Sequence, residues 1–439
     1  MQIKLIVLAI TIAMYALVIV FQNKKAYAAL IVGALIVVLE NVVLPREWVG
    51  DALVAPFEAL FVLVNWSVLM IYIGSLVIAE LFIYSRAPAR IADNIVDCSP
   101  RSGVAIVVIL IITGIISAFV ENVATVLVMA PIALALSKKI NMNPKFFMIG
   151  LAVMSNLQGT ATLVGDPPSM IFASYARYGF NDFFFKDGRP SIFFFVQIGM
   201  LTGALFFYVL FARGGKGRVA VKKTPVASLF PSILFILMIV GLAACSFLLN
   251  EGVSLESGLL VMALALVGLF WFRLVRKESA RAVIDVVRRL DWETIFFLIG
   301  IFVVVGALSK TGILSDFARA LSALIGGNAL LGFIVIVLVS IVISGFVDNV
   351  PYIIAMLPVA GSLSAHLGLS PELLMFALLI GSCLGGNLTP FGASANIVCV
   401  GILKREGVVV NFPGWLKVGL PFTVLTTAAA SVAVWFVWG

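Results

Sequence analysis

Apolar runs of near-spanning length follow one another along the whole chain. They lie at 4–21, 26–44, 60–84, 104–120, 121–137, 146–176, 192–212, 229–249 and 255–272. They resume at Trp292, 329–345, 349–365 and 373–403, and a last helix runs to Gly439. An α-helix needs roughly 17–25 predominantly apolar residues to cross the hydrocarbon of a bilayer, and only helices or closed barrels satisfy their backbone there. The pattern predicts an all-α integral membrane protein with about 11 spans, counted on that length rule. Two runs are interrupted. In 146–176 the stretch Gly159-Thr-Ala-Thr-Leu-Val-Gly-Asp-Pro-Pro168 removes two backbone donors in succession, and in 373–403 Gly385-Gly-Asn-Leu-Thr-Pro-Phe-Gly-Ala-Ser-Ala-Asn396 does similar damage. Neither run can be one continuous helix.

Polar residues inside the apolar runs recur at a fixed spacing. Ser117-Ala-Phe-Val-Glu-Asn-Val returns as Ser344-Gly-Phe-Val-Asp-Asn-Val, 227 positions later, so Glu121 matches Asp348, Asn122 matches Asn349 and Pro131 matches Pro358. The same spacing pairs Gly159 with Gly386, Thr162 with Thr389, Gly165 with Gly392 and Ser169 with Asn396. An acid at mid-membrane depth costs about 2.5–3.5 kcal/mol on insertion scales, so carrying one twice at equivalent positions calls for a function. Each half thus holds an acid–amide hairpin and a broken helix. The hairpin tips are too apolar and too tight for ordinary loops, which favours re-entrant hairpins over pairs of full crossings. Unwound backbone offers carbonyls to a cation, and half-helix N-termini offer N–H groups to an anion or polar solute. The candidate binding residues are Glu121, Asn122, Thr160, Thr162, Gly165, Asp166 and Ser169 in the first half. In the second they are Asp348, Asn349, Asn387, Thr389, Ser394 and Asn396. Asp166 has two readings, a third titratable acid or the cap of the half-helix that follows it.

Composition agrees with the pattern: of 439 residues 62% are hydrophobic and 11% charged, too few charges for a soluble surface. The net charge of +8 comes from lysines and arginines gathered in a few loops, which sets orientation and is no nucleic-acid footprint. Lys24-Lys25, Arg86 to Arg101, Lys138 to Lys145, Arg213 to Lys223 and Arg273 to Arg289 place the loops 22–25, 85–101, 138–145, 213–228 and 273–291 inside, with 45–58 and both termini outside. The first run lacks a small-residue cleavage site and reads as a retained helix in a cell (inner) membrane protein. The two halves then have opposite orientation, as in inverted-repeat transporters. The division expected is 1–64 as N-terminal scaffold helices, 65–213 as the first repeat, 214–290 as a linking helix pair and 291–439 as the second repeat.

The remaining polar residues add little. His366, the only histidine, reads as a solvated residue of an outer loop, and Lys310 as a side chain that reaches the interface. Cys98, Cys245, Cys383 and Cys399 show no metal or disulfide spacing. Cys383 and Cys399 flank the second break, but the repeat pairs them with Asn156 and Phe172, so they read as packing. No nucleophile–base pair supports an enzyme. Two matched breaks suit alternating access better than the fixed pore of a channel.

On these motifs the chain resembles the ion transporter superfamily. The carriers are Glu121-Asn122-Val123, Asp348-Asn349-Val350-Pro351 and the break from Gly159 to Pro168, over about 65–435. The Gly-Asp-Pro-Pro and Gly-Ala-Ser-Ala-Asn forms are most similar to the branch of arsenite permeases, sodium/proton antiporters of the NhaD type and the P protein. The resemblance implies a homodimer in membrane lipid, with a scaffold and a mobile, elevator-type transport domain. It also implies an ion-coupled carrier of a small inorganic ion or solute, with H+ or Na+ as coupling ion and Na+ at Asn122 and Asn349. Where dicarboxylate carriers have Ser-Asn-Thr, this chain has Glu-Asn-Val and Asp-Asn-Val, and neither motif holds a Lys or Arg to offset the acids. Proton-coupled arsenite or antimonite efflux therefore ranks first, with a cytoplasmic ATPase subunit as a candidate partner. Sodium/proton antiport follows, then anion or dicarboxylate symport.

Overall fold

The structure is a computed structural model that describes residues 2–20, 24–39, 63–98, 101–211, 223–249 and 252–439. The expected outer connection 45–58 and most of the basic loop 213–228 lie outside the described residues, as do the side chains of Cys98 and Lys310. Helices α1 (Gln2–Val20) and α2 (Lys25–Val38) come first. Then come α3 (Trp66–Tyr84), α4 (Ala87–Cys98), the arms α5 (Ser102–Ser117) and α6 (Asn122–Lys139), the half-helices α7 (Lys145–Gly159) and α8 (Pro167–Ala176), and α9 (Ile192–Phe211). A second pair, α10 (Phe230–Leu249) and α11 (Leu255–Phe270), is followed by the short α12 (Ala280–Arg288). The elements then recur: α13 (Trp292–Thr311), α14 (Ile313–Ile325), α15 (Ala329–Ser344), α16 (Asn349–Leu367), α17 (Pro371–Gly385), α18 (Ser394–Arg405) and α19 (Phe412–Trp438). Among the described residues eight helices are long and apolar enough to cross a membrane, and shorter apolar helices accompany them.

The breaks fall where the prolines and glycines demand. The first separates α7 from α8 over residues 160–166, and the second separates α17 from α18 through a 3-10 turn at Gly386–Leu388. Single prolines, Pro131 and Pro358, are instead absorbed inside α6 and α16, as neighbouring helices allow in a bundle.

Three features were not anticipated. Strands β1 (Phe185–Lys186) and β2 (Arg189–Pro190) form a small antiparallel ribbon in an otherwise helical fold. Its tip, Asp187-Gly188, has φ of 49° and 75°, the left-handed pair that a tight hairpin turn requires. Helix α14 is a second amphipathic segment, matching α4 at the repeat spacing, and is set off from α13 by Gly312 at φ 72°. His366 is exposed as expected, but it belongs to the last turn of α16 rather than to a loop.

The helix pairs exchange partners. α11 packs along α3, and α2 packs along α13. At the second crossing the backbones nearly touch, since a Cβ on Gly33 would lie 3.1 Å from Gly300 O, the small-residue contact that lets membrane helices approach closely. The inner elements interlock as well: α8 packs on α16, and α18 on α6, so each broken helix seats its second half on the other repeat's hairpin. Phe207 and Phe422 meet at 5.4 Å between ring centroids where α9 and α19 run together.

Candidate functional site

The same set of bonds recurs in both hairpins and both breaks, and the threonine of each break ties it to its hairpin tip. The Ser117 hydroxyl donates to Asn122 Oδ1 at 2.8 Å, and Ser344 donates to Asn349 Oδ1. Thr162 Oγ1 donates to the carbonyl of Ala118, and Thr389 Oγ1 to that of Gly345 at 2.6 Å. Ser169 Oγ reaches Gly159 O at 3.3 Å, as Asn396 Nδ2 reaches Gly386 O at 2.8 Å. Gly165 and Gly392 must lack side chains. A Cβ on Gly165 would lie 2.4 Å from Gly159 O, and one on Gly392 would lie 2.6 Å from Gly386 O. These bonds satisfy backbone groups that the unwound segments would otherwise leave unpaired in a buried setting.

The two acids at the tips cap helices. Glu121 accepts from Ala124 N at 2.9 Å and Asp348 from Val350 N at 3.2 Å. Asp166, for which a capping role was weighed, occupies the N-cap position of α8 but makes no capping bond with its side chain. Its carboxylate instead lines the central cavity.

That cavity lies between the two tips and has a volume of about 40 Å³. Glu121, Asn122, Asp166, Asp348, Asn349 and Ser394 all line it, joined by Lys25, Tyr72, Asn156, Asp291 and Thr294. At roughly 10–15 Å³ for one water on this kind of measure, it has room for a few waters or one small ion. Gly165 lies beside it with Tyr72, Glu121 and Asp166 in an adjoining void. The other sequence candidates stand behind the wall. Thr162, Ser169, Thr389 and Asn396 hold the breaks in place, and Asn387 is buried with its amide oxygen accepting from Asn156 Nδ2 at 2.8 Å. Thr160 is buried beside Cys383.

Sequence reasoning missed the cation. Lys25 reads from sequence as half of a solvated basic turn, and neither motif contains a Lys or Arg. In the structure Lys24 is exposed, whereas Lys25 is buried with Nζ 2.5 Å from Asp348 Oδ2. The cause is tertiary: α2 packs along α13, and this carries its first residue to the second hairpin tip. Tyr15 of α1 also donates to the carbonyl of Pro351 at 3.1 Å. No local pattern marks Lys25 apart from Lys24. Asn156, Tyr72 and Asp291 were missed too. Tyr72 OH donates to Asp291 Oδ2 at 3.4 Å, and both residues line the cavity. Asn156 had a signal, a buried amide four residues before the first break.

The buried cysteines stay out of the site. Cys399 Sγ contacts Met148 O at 3.1 Å, and neither it nor Cys383 lines the cavity. Among the described residues no group of three His, Cys, Asp or Glu side chains is placed to hold a metal ion.

With this geometry in view, comparison with known proteins is decisive. Residues 6–381 match the family described as citrate transporter, CitMHS. The chain belongs to that family. It is 30% identical to an uncharacterized transporter of Mycobacterium tuberculosis over 98% of both chains. It is 24% identical to the human P protein over 73% of this chain and 47% of the other. The solved YdaH transporter of Alcanivorax borkumensis shares the fold, with a TM-score of 0.60 at 15% identity over 86% of this chain and 87% of that one. The CitMHS chain is a multi-pass membrane transporter, and the superfamily resemblance read from its hairpins and breaks holds.

Proposed function

We propose that this transporter exchanges a small monovalent cation, Na+, for protons by an elevator-type movement of the two hairpins and breaks against the outer helix pairs. The observation that carries the reading is the charge of the cavity: four carboxylates, Glu121, Asp166, Asp291 and Asp348, against one ammonium, Lys25, around about 40 Å³. A surplus of acids in a small space attracts a cation or protons and repels a carboxylate solute. A citrate trianion would meet the wrong sign of field and too little room.

Support for alternating access comes from where the tips touch the outer helices. Glu121 shares voids with Tyr72, Leu76, Ala79 and Glu80 of α3. Asp348 and Asn349 share theirs with Asp291 and Thr294, at the very start of α13. On the repeat spacing, Asp291 and Thr294 correspond to Val64 and Ser67. The first tip therefore sits about ten residues further along its outer helix than the second does, roughly 15 Å of α-helix at 1.5 Å per residue. Two equivalent halves in unequal positions have a counterpart state in which the positions are exchanged, and inverted repeats use such pairs of states to alternate access.

A second reading is proton-coupled arsenite efflux. The uncharged amides and hydroxyl of Asn122, Asn156, Asn349 and Ser394 on the cavity wall favour it, because they can hydrogen-bond a neutral trihydroxy solute. Purified protein in proteoliposomes, given pH and Na+ gradients with and without arsenite, separates the two. Na+ uptake driven by an outward proton gradient is the expected result, and gradient-driven flux of citrate alone would overturn both.

A further inference from the structure

Glu121 and Asp348 are equivalent acids by the repeat, yet the scaffold treats them differently. Lys25 comes from α2, which packs on α13, and its Nζ meets Asp348 at 2.5 Å. The equivalent pair is α11 on α3, and the repeat spacing sets Gly252, just before α11, where Lys25 stands; neither it nor Val253, Ser254 and Leu255 after it carries a charge. Glu121 shares its voids with Tyr72, Ser75, Glu80 and Arg289 and makes no ion pair within 4 Å among the described residues. Lys25 is only 8% exposed and lies 5.7 Å from the Phe297 ring centroid. Asp291, just before α13, and Glu293 in its first turn also face it. A buried lysine without a partner would be expelled or neutralised, so the pairing with Asp348 is what keeps this ammonium in place.

We propose that Lys25 is a tethered cation: at the second hairpin tip it occupies the position that an exchangeable cation takes at the first. Asp348 is then closed to Na+, and the exchangeable ion loads beside Glu121 and Asp166. The inference rests on the cation-exchange reading above and fixes its stoichiometry at one site per chain. A cation covalently tethered on a side chain does not pay the association entropy that a free ion pays, so millimolar Na+ does not displace it. The pair also joins two bodies, since Lys25 belongs to the outer helices and Asp348 to the hairpin. It must part whenever one slides on the other, so it holds the protein in the state seen here until the first site is loaded.

The test is equilibrium binding of radioactive Na+ to the purified full-length protein, run beside Na+/H+ exchange in proteoliposomes. The wild type is expected to bind one Na+ per chain. Lys25→Met should bind two, and the double variant Lys25→Met with Asp348→Asn should return to one. Lys25→Gln, which can still hydrogen-bond Asp348, is a second uncharged variant and should also bind two, while Lys25→Arg stays at one. Wild-type binding of one Na+ with no increase in either uncharged variant overturns this inference and leaves the exchange reading intact. A wild type that neither binds nor moves Na+ overturns the exchange reading and the inference with it.

Discussion

Asn156 bridges the two broken helices: its Nδ2 donates to Asn396 Oδ1 at 2.9 Å and to Asn387 Oδ1 at 2.8 Å. Both acceptors are fully buried. Replacing Asn156 by Leu strips their donor, and an orphaned buried polar group costs about 1–3 kcal/mol. The Asn156→Leu variant should unfold at lower temperature in detergent and lose most of its transport. Unchanged thermal stability would show that the bridge does not couple the halves.

The acids of the cavity can be separated by role. Glu121→Gln keeps a side-chain oxygen for the cap of α6 and should fold with a stability loss under about 1 kcal/mol. Asp348→Asn keeps the cap of α16 but leaves Lys25 buried without its ion-pair partner, a loss of about 3–5 kcal/mol. Gradient-driven flux should fall at least tenfold in Glu121→Gln, because the amide cannot exchange a proton. Asp166→Asn removes no capping bond and should likewise fold normally while losing coupled flux. Near-normal exchange in all three variants would place the coupling elsewhere.

The breaks are expected to tolerate no side chain at Gly165 or Gly392. A methyl there would press on backbone oxygens at 2.4 and 2.6 Å, and crowding of that kind costs about 1–3 kcal/mol. Gly165→Ala and Gly392→Ala should each lower stability and abolish transport. Gly401→Ala is the control, since a Cβ there meets nothing within 4 Å. It should be neutral in thermal melts and in flux.

Orientation follows the basic loops. Single cysteines at Arg86, Lys139 and Arg276, all exposed positions, should react only with thiol reagents that reach the cytoplasm. Cysteines at the exposed Asp187 and His366 should be labelled from outside whole cells. Outside labelling at Arg276 would reverse the topology.

Much of the fold is legible because the chain states it twice. The spacing of 227 residues links not only the acids but the bonds they serve, as in Thr162 to Ala118 O and Thr389 to Gly345 O. What escapes the sequence depends on contacts between distant segments. Lys25 and Lys24 are indistinguishable until α2 is laid on α13. Tyr72 and Asp291 are likewise ordinary residues until the two tips are brought between α3 and α13. The ribbon at 185–190 escaped for a different reason. Its Asp187-Gly188 turn is a recognisable signal, but it stands among phenylalanines that read as part of an apolar run.

Thr160 and Ser169 are the residues that the repeat places opposite Asn387 and Asn396, and Cys383 stands opposite Asn156. The amide bridge therefore exists on one side only. A chain assembled from two copies of the first half would set each Asn156 against a threonine and a serine, and one made of two second halves would set each Cys383 against two asparagines. Neither duplicate keeps the pairing that fits one donor to two acceptors. The halves share an architecture but are not interchangeable, and each is a complement that only its own partner completes.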